Sequence, residues 1–260
     1  VDEAFVTHYG TGIERERLVE GGDGLELVRT LELLAEVLPP PPARVLDVGG
    51  GPGVYAARLA HAGYDVELID VLPLHVEQAR ELAAAQPDAS FHAEVGDARD
   101  LSAYGDETAD VVLLLGPLYH LTQRDDRVRA LAEARRVVRA GGVVAAVGIS
   151  RYASVLDGTV RGFLDDPRFV EIVERDLREG QHRNPENVEG WFTTAYFHLP
   201  RELRDEIAEA GLALERLVGI EGPGGWLGVW PERHELVLRA ARLAEEIPAM
   251  SAHMLAIARR

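Results

Sequence analysis

The segment Asp47-Val48-Gly49-Gly50-Gly51-Pro52-Gly53 sets glycines at alternate positions 49, 51 and 53, just after an acid. Glycine at such a corner meets two needs: backbone angles that a side chain resists, and close approach of a ligand to the main chain. Position 54 is Val, so the spacing is G-x-G-x-G rather than the G-x-G-x-x-G of dinucleotide-binding turns. A dinucleotide turn holds a pyrophosphate at a helix N-terminus, where Asp47 would repel it. The same carboxylate suits an ammonium or a sulfonium. Asp70 follows 23 residues after Asp47, a distance at which acids that bind ribose hydroxyls occur. His120 is the candidate general base, because an imidazole titrating near pH ~6.5 takes a proton from a hydroxyl or amine at neutral pH. Tyr119 beside it is placed to orient a substrate or close over a cofactor. Other chemistries lack their residues. There is no Cys, and neither His-Glu-x-x-His nor Gly-x-Ser-x-Gly occurs, so the sequence predicts no thiolate, no metal and no hydrolase elbow.

The elements that must position these groups alternate. Arg44 to Val48 reads as a buried strand, Val54 to Ala62 as a helix stopped by Gly63, and Asp65 to Asp70 as a second strand. A helix starting at Pro73 runs to about Ala85, and Ser90 to Val95 reads as strand three. Asp110 to Leu115 is a continuous apolar run, the pattern of a strand covered on both faces. A helix over about 124–139 ends at Gly141-Gly142, and strand five is Val143 to Ile149. Alternation of this kind predicts a parallel sheet with right-handed crossovers. Residues 151–199 break the rhythm and read as a helical, irregular insertion over the carboxyl ends of the strands. A helix at Pro200–Ala210, a strand at Leu212–Ile220, a helix near Glu232–Glu246 and a strand near His253–Ala258 complete the chain. The four prolines 39–42 separate an N-terminal helical segment, 1–40, from a domain spanning 41–260.

These motifs, in this order, resemble the class I methyltransferase family, strongly over residues 43–150 and more loosely in the last strands. The resemblance implies an α/β, doubly wound, mostly parallel seven-stranded sheet in the order 3-2-1-4-5-7-6, its seventh strand antiparallel. It implies S-adenosylmethionine as cofactor, a molecule with both cations and no phosphate, and S-adenosylhomocysteine as product. Asp47, Gly49, Gly51 and Gly53 match the family's first motif. Asp70 matches its ribose-binding acid, with Val71 and Leu72 flanking the adenine. Gly96-Asp97-Ala98 is similar to the segment that reads the adenine edge, Asp97 accepting from the exocyclic amine. Leu115-Gly116-Pro117-Leu118-Tyr119-His120 resembles the loop beside the sulfonium. That loop lacks the N-P-P-Y of many RNA- and protein-modifying members, and the chain looks most like bacterial small-molecule methyltransferases.

Other candidates stand outside these motifs. The N-terminal stretch His8 to Leu18 reads as a lid, with Tyr9 nearest the methyl donor and Arg17 or Arg29 pairing the methionine carboxylate. Trp191, Phe192, Tyr196, Phe197 and Trp226 are candidate walls of an apolar substrate pocket. His182 and His198 are bases by residue type, with nothing local to single them out. All 27 basic residues are Arg, set against 44 acids, for a formal charge of −17. Such a chain repels a phosphate backbone, so the expected partner is a small molecule and not nucleic acid. No run of eighteen apolar residues and no leader-like N-terminus is present, so the expectation is a cytoplasmic protein without a membrane partner, as monomer or homodimer. The rival readings are a nicotinamide-dependent reductase, against which the glycine spacing and Asp47 speak, and a non-catalytic relative that binds without transferring methyl.

Overall fold

The computed structural model describes residues 24–226 and 232–260. Strands β1 (Arg44–Val48), β2 (Asp65–Asp70), β3 (His92–Val95), β4 (Ala109–Leu114) and β5 (Val138–Ser150) form the parallel part of the sheet. Two short strands, β6 (Gln181–His182) and β7 (Ala195–His198), precede the long hairpin partners β8 (Ala213–Gly219) and β9 (His253–Arg259). The long strands lie in the order β3-β2-β1-β4-β5-β9-β8, with β9 antiparallel to both neighbours. That is the expected seven-strand arrangement, its sixth and seventh members being β8 and β9.

The helices are α1 (Gly24–Ala35), α2 (Val54–His61), α3 (Pro73–Ala84), α4 (Pro117–His120), α5 (Arg124–Val137), α6 (Ala153–Arg161), α7 (Pro167–Glu179), α8 (Pro200–Glu209) and α9 (His234–Ala244). Alternate strand residues feed two cores. Val45, Leu68, Val111, Leu113 and Val143 pack with α1, α2 and α3 on one face. Leu46, Ile69, Val112, Leu114 and Val144 pack with α5 and α8 on the other. This explains the unbroken apolar run of β4 and that of β5 from Val143: both faces of these central strands are buried, and each such side chain contributes about 1.5–3 kcal/mol of burial.

Two segments differ from the sequence reading. The helix expected to reach residue 139 stops at Val137, and β5 begins at Val138, which pairs with Ala109. Gly141 and Gly142 therefore sit in an irregularity within β5 rather than at a helix end. A Cβ on Gly142 would lie 2.7 Å from the Asp110 carbonyl oxygen, so strand β4 passes too close for a side chain. The insertion is not only helical. Its ribbon β6–β7 docks on Ile149 and Ser150 at the carboxyl end of β5. Because β9 occupies the other edge of Ile149, β7 lies on the edge that β4 has vacated beyond Leu114.

Candidate functional site

A cavity of about 220 Å³ opens where β1, β2, β3 and β4 end. Its wall is built from the four loops that follow those strands. Gly49 and Gly51 come after β1, Asp70 and Val71 close β2, Asp97 and Ala98 follow β3, and Gly116, Tyr119 and His120 follow β4. The sequence-predicted residues thus converge from four loops on one space, at the carboxyl edge where ligands of such sheets bind.

The glycine corner is held open by sterics and by Asp70. Gly49 has φ +70°, and a Cβ on it would lie 2.8 Å from Pro117 Cδ. A Cβ on Gly116 would lie 3.0 Å from the Gly49 carbonyl oxygen, so the first and fourth loops touch backbone to backbone. Asp70 accepts from the Gly51 amide at 2.9 Å and the Leu72 amide at 2.9 Å, and meets His75 Nδ1 at 3.2 Å. One carboxylate therefore ties the first loop to the start of α3 while facing the cavity.

Several predicted residues serve the cavity from behind it. Asp47 is 1 % exposed beneath the corner, and neither carboxylate oxygen has a hydrogen-bond partner among the described residues. Burial first, and then the charge of Asp70, push its carboxyl up to about 7. Gly53 (φ +89°) starts α2, and a Cβ there would meet Phe91 at 2.9 Å and Ala79 at 3.2 Å, so it is a packing glycine. Leu72 and Leu115 are buried and do not reach the wall.

The electrostatics fit a cation. Asp70, Asp97 and Asp126 face the cavity with one guanidinium, Arg99. Arg99 spends its donors on Asp97, at 2.6 Å, and on Asp126, at 3.0 Å. Those hydrogen bonds hold Asp97 below the usual carboxylate range despite partial burial. A diphosphate here would face three acids and a guanidinium already paired. A sulfonium or ammonium meets the opposite field, with the partnerless Asp47 behind it, and the residues present fit S-adenosylmethionine.

A second cavity, of about 290 Å³, lies beside the first where β5 ends and β9 begins. Phe192, Phe197 and Trp226 line it, three of the five predicted aromatics. Phe192 lies between the cavities: its ring centroid is 6.5 Å from that of Tyr119 and 6.1 Å from that of His120. Polar groups missed by the sequence reading line it as well, among them Glu26, Asp157, Glu221 and His253, together with His182, which residue type alone had suggested. They come from elements far apart in the chain, which no local spacing reveals.

Other candidates are corrected. Trp191 packs on Phe163 and Phe169 in the insertion's own small core. Tyr196 is structural: Arg127 stacks 3.6 Å over its ring, and its hydroxyl donates to Glu202 at 3.1 Å. Arg29 does not reach the donor cavity. It is 1 % exposed and binds Glu32 at 2.6 Å and Glu245 at 2.8 Å, bolting α1 to the end of α9. His198 is fully enclosed against Glu206, its imidazole driven toward the neutral form by burial. Tyr9 and Arg17 lie outside the described residues. In the donor cavity the sequence reading missed His75, Arg99 and Asp126, while Gly96 lines it beside Asp97 and Ala98 as the motif implied. A histidine one turn into a helix that starts behind a ribose-type acid was the available signal for His75.

Residues 45–142 match the family model described as a methyltransferase domain. A ubiquinone biosynthesis O-methyltransferase from Xanthomonas axonopodis pv. citri is 28 % identical over 190 residues, covering 73 % of this chain and 71 % of that one. Among solved structures, a methyltransferase of Methanosarcina mazei superposes with a TM-score of 0.62 at 20 % identity, covering 88 % of this chain and 96 % of that one. The [4+2]-cyclase SpnF superposes at 0.59 and 18 % identity, covering 89 % and 80 %, so the fold by itself does not name a reaction. The matched segment spans the whole donor cavity from β1 to the start of β5, and together with the relatives named O-methyltransferase it supports a class I S-adenosylmethionine-dependent methyltransferase.

Proposed function

We propose that the enzyme transfers a methyl group by in-line displacement to an oxygen, nitrogen or carbon atom of a small, partly apolar molecule seated in the second cavity. The observation that carries this reading is the adjacency of the two cavities across Tyr119, His120 and Phe192. Bound S-adenosylmethionine supplies an electrophilic methyl carbon on a good leaving group. The chain's own task is to hold donor and acceptor close, aligned and dry, a contribution of several kcal/mol (~7–11 at its largest). The glycine corner and Asp70 fix the nucleoside end. Asp97 and Ala98 bound its base, Asp97 offering an acceptor to an exocyclic amine. Tyr119 and His120 shape the passage to the acceptor, and the aromatic walls of the second cavity exclude water. The name of the curated relatives supports a hydroxyl oxygen as accepting atom. The acidic surface and aromatic walls support a neutral or cationic acceptor.

Calorimetric titration with S-adenosylhomocysteine and with NADH, followed by transfer from labelled donor into a low-molecular-weight cell extract, tests the reading. The expected result is tight binding of the first ligand, none of the second, and label in an extracted small molecule. Binding without any transfer would sink the proposed reaction.

A further inference from the structure

β9 is the strand that runs against the rest of the sheet, so its first residue rather than its last lies on the carboxyl rim. That residue is His253, paired across the ladder with Ile149 near the end of β5. Glu221 reaches the same rim by the opposite route, two residues beyond the end of the parallel strand β8. The two meet. Glu221 Oε1 is hydrogen-bonded to His253 Nδ1, and Oε2 accepts from the His253 backbone amide at 3.1 Å. One buried carboxylate thus fixes both the ring's rotation and its tautomer, keeping the proton on Nδ1 and the lone pair on Nε2. The imidazole lines the second cavity, its centroid 6.4 Å from the ring of Tyr119, which lines the first. His120, the base that residue type alone suggests, lines the donor cavity instead.

We propose that His253, positioned by Glu221, is the general base that takes the proton from a hydroxyl acceptor in the second cavity; this rests on the methyl-transfer reading above. As the acceptor oxygen bonds to the methyl carbon, the carbon–sulfur bond breaks and its electron pair stays on sulfur. The hydroxyl proton passes to Nε2, leaving its bonding pair on oxygen, and is later lost to water. Among the described residues, the titratable and charged neighbours of the imidazole include Glu221 from the loop after β8, Glu26 of α1 at 3.9 Å and Tyr119 of α4. Across the cavity stand His182 of β6 and, on α6, Asp157 paired with Arg161. Glu26, Glu221 and His253 also present ligand atoms within 4.8 Å of one another, so a divalent metal is the rival occupant.

The test uses the protein loaded with S-adenosylhomocysteine. Diethyl pyrocarbonate treatment followed by mass spectrometry is expected to modify His253. The His253→Gln variant should bind S-adenosylhomocysteine within twofold of wild type, while transfer from labelled donor into the extract falls ~100-fold, the scale of a lost general base. Glu221→Gln should lower transfer and alter its pH profile, because the ring loses the carboxylate that fixes its rotation and tautomer. An unmodified His253, or a His253→Gln protein with wild-type transfer and an unchanged profile, would overturn the proposal. So would transfer that a chelator abolishes and Mn²⁺ restores. Failure of the wild-type protein to bind S-adenosylhomocysteine would refute the underlying methyl-transfer reading instead.

Discussion

Asp47 costs the fold stability at neutral pH. Its carboxyl titrates at about 7 in the fold against 3.8 as a free side chain. The folded state therefore holds the proton more tightly, and stability is lost as pH rises from about 4 through 7. At about 1.36 kcal/mol per unit the full cost above pH 7 is on the order of 4 kcal/mol. Asp47→Asn is thus expected to raise the urea midpoint at pH 8 more than at pH 5. It should also weaken S-adenosylhomocysteine binding. A cation in the cavity pulls the proton off Asp47, so wild-type affinity for S-adenosylmethionine should rise with pH through 7, with proton release visible when calorimetric buffers are compared. An affinity that is flat from pH 6 to 8 would contradict this. His120→Ala is expected to lower transfer less than tenfold and to keep the slope of the acidic limb, because the proposed base lies on β9.

The elements around the site are fastened by contacts that a sequence pattern does not display. Arg127 of α5 and Glu206 of α8 pair at 2.6 Å, both about 1 % exposed, and Arg127 also donates to the Leu121 and Thr122 carbonyls. Burial pushes Glu206 up, and the His198 and Arg127 hydrogen bonds and charges bring it below its ordinary range. Arg151 ties β7 to α8, donating to the Phe197 carbonyl at 2.7 Å and to Glu202 at 2.5 Å. Glu206→Gln leaves a buried guanidinium without its counter-charge and should cost about 3–5 kcal/mol in urea unfolding. Gly49→Ala tests the contact between the first and fourth loops. Its Cβ would meet Pro117 at a positive φ, so a loss of about 1–3 kcal/mol is expected, together with weaker S-adenosylhomocysteine binding. An alanine variant as stable as wild type would show that the loops have room to part.

At the scale of the whole molecule, charge sets which partners can approach. Net −17 on 260 residues, with the donor cavity itself lined by acids, disfavours polyanions at any face without a compensating basic patch. The protein should pass through a heparin column at low salt, and retention there would contradict the small-molecule reading. Among the described residues no helix is long and apolar enough to cross a membrane.

The alternation of strands and helices, the glycine corner, Asp70 and the loop at Gly116–His120 were legible in the chain because each is a local pattern. Short stretches rich in Val, Leu and Ile give the strands, continuous in β4 and interrupted by charges in β1 and β2, and steric need gives the glycines. What local pattern could not give was direction and destination. Gly53 looks like its neighbours at 49 and 51 yet serves helix packing, because only the fold shows Phe91 against it. Trp191 and Tyr196 are aromatic like Phe192 and Phe197, and the ribbon β6–β7 decides which of them face the second cavity. His253 and Glu221 are 32 residues apart and meet because one lies at the start of an antiparallel strand and the other past the end of a parallel one. Side-chain type and spacing act over a few residues of chain, whereas a site at the rim of a sheet collects residues by strand direction and order, which tertiary packing alone sets.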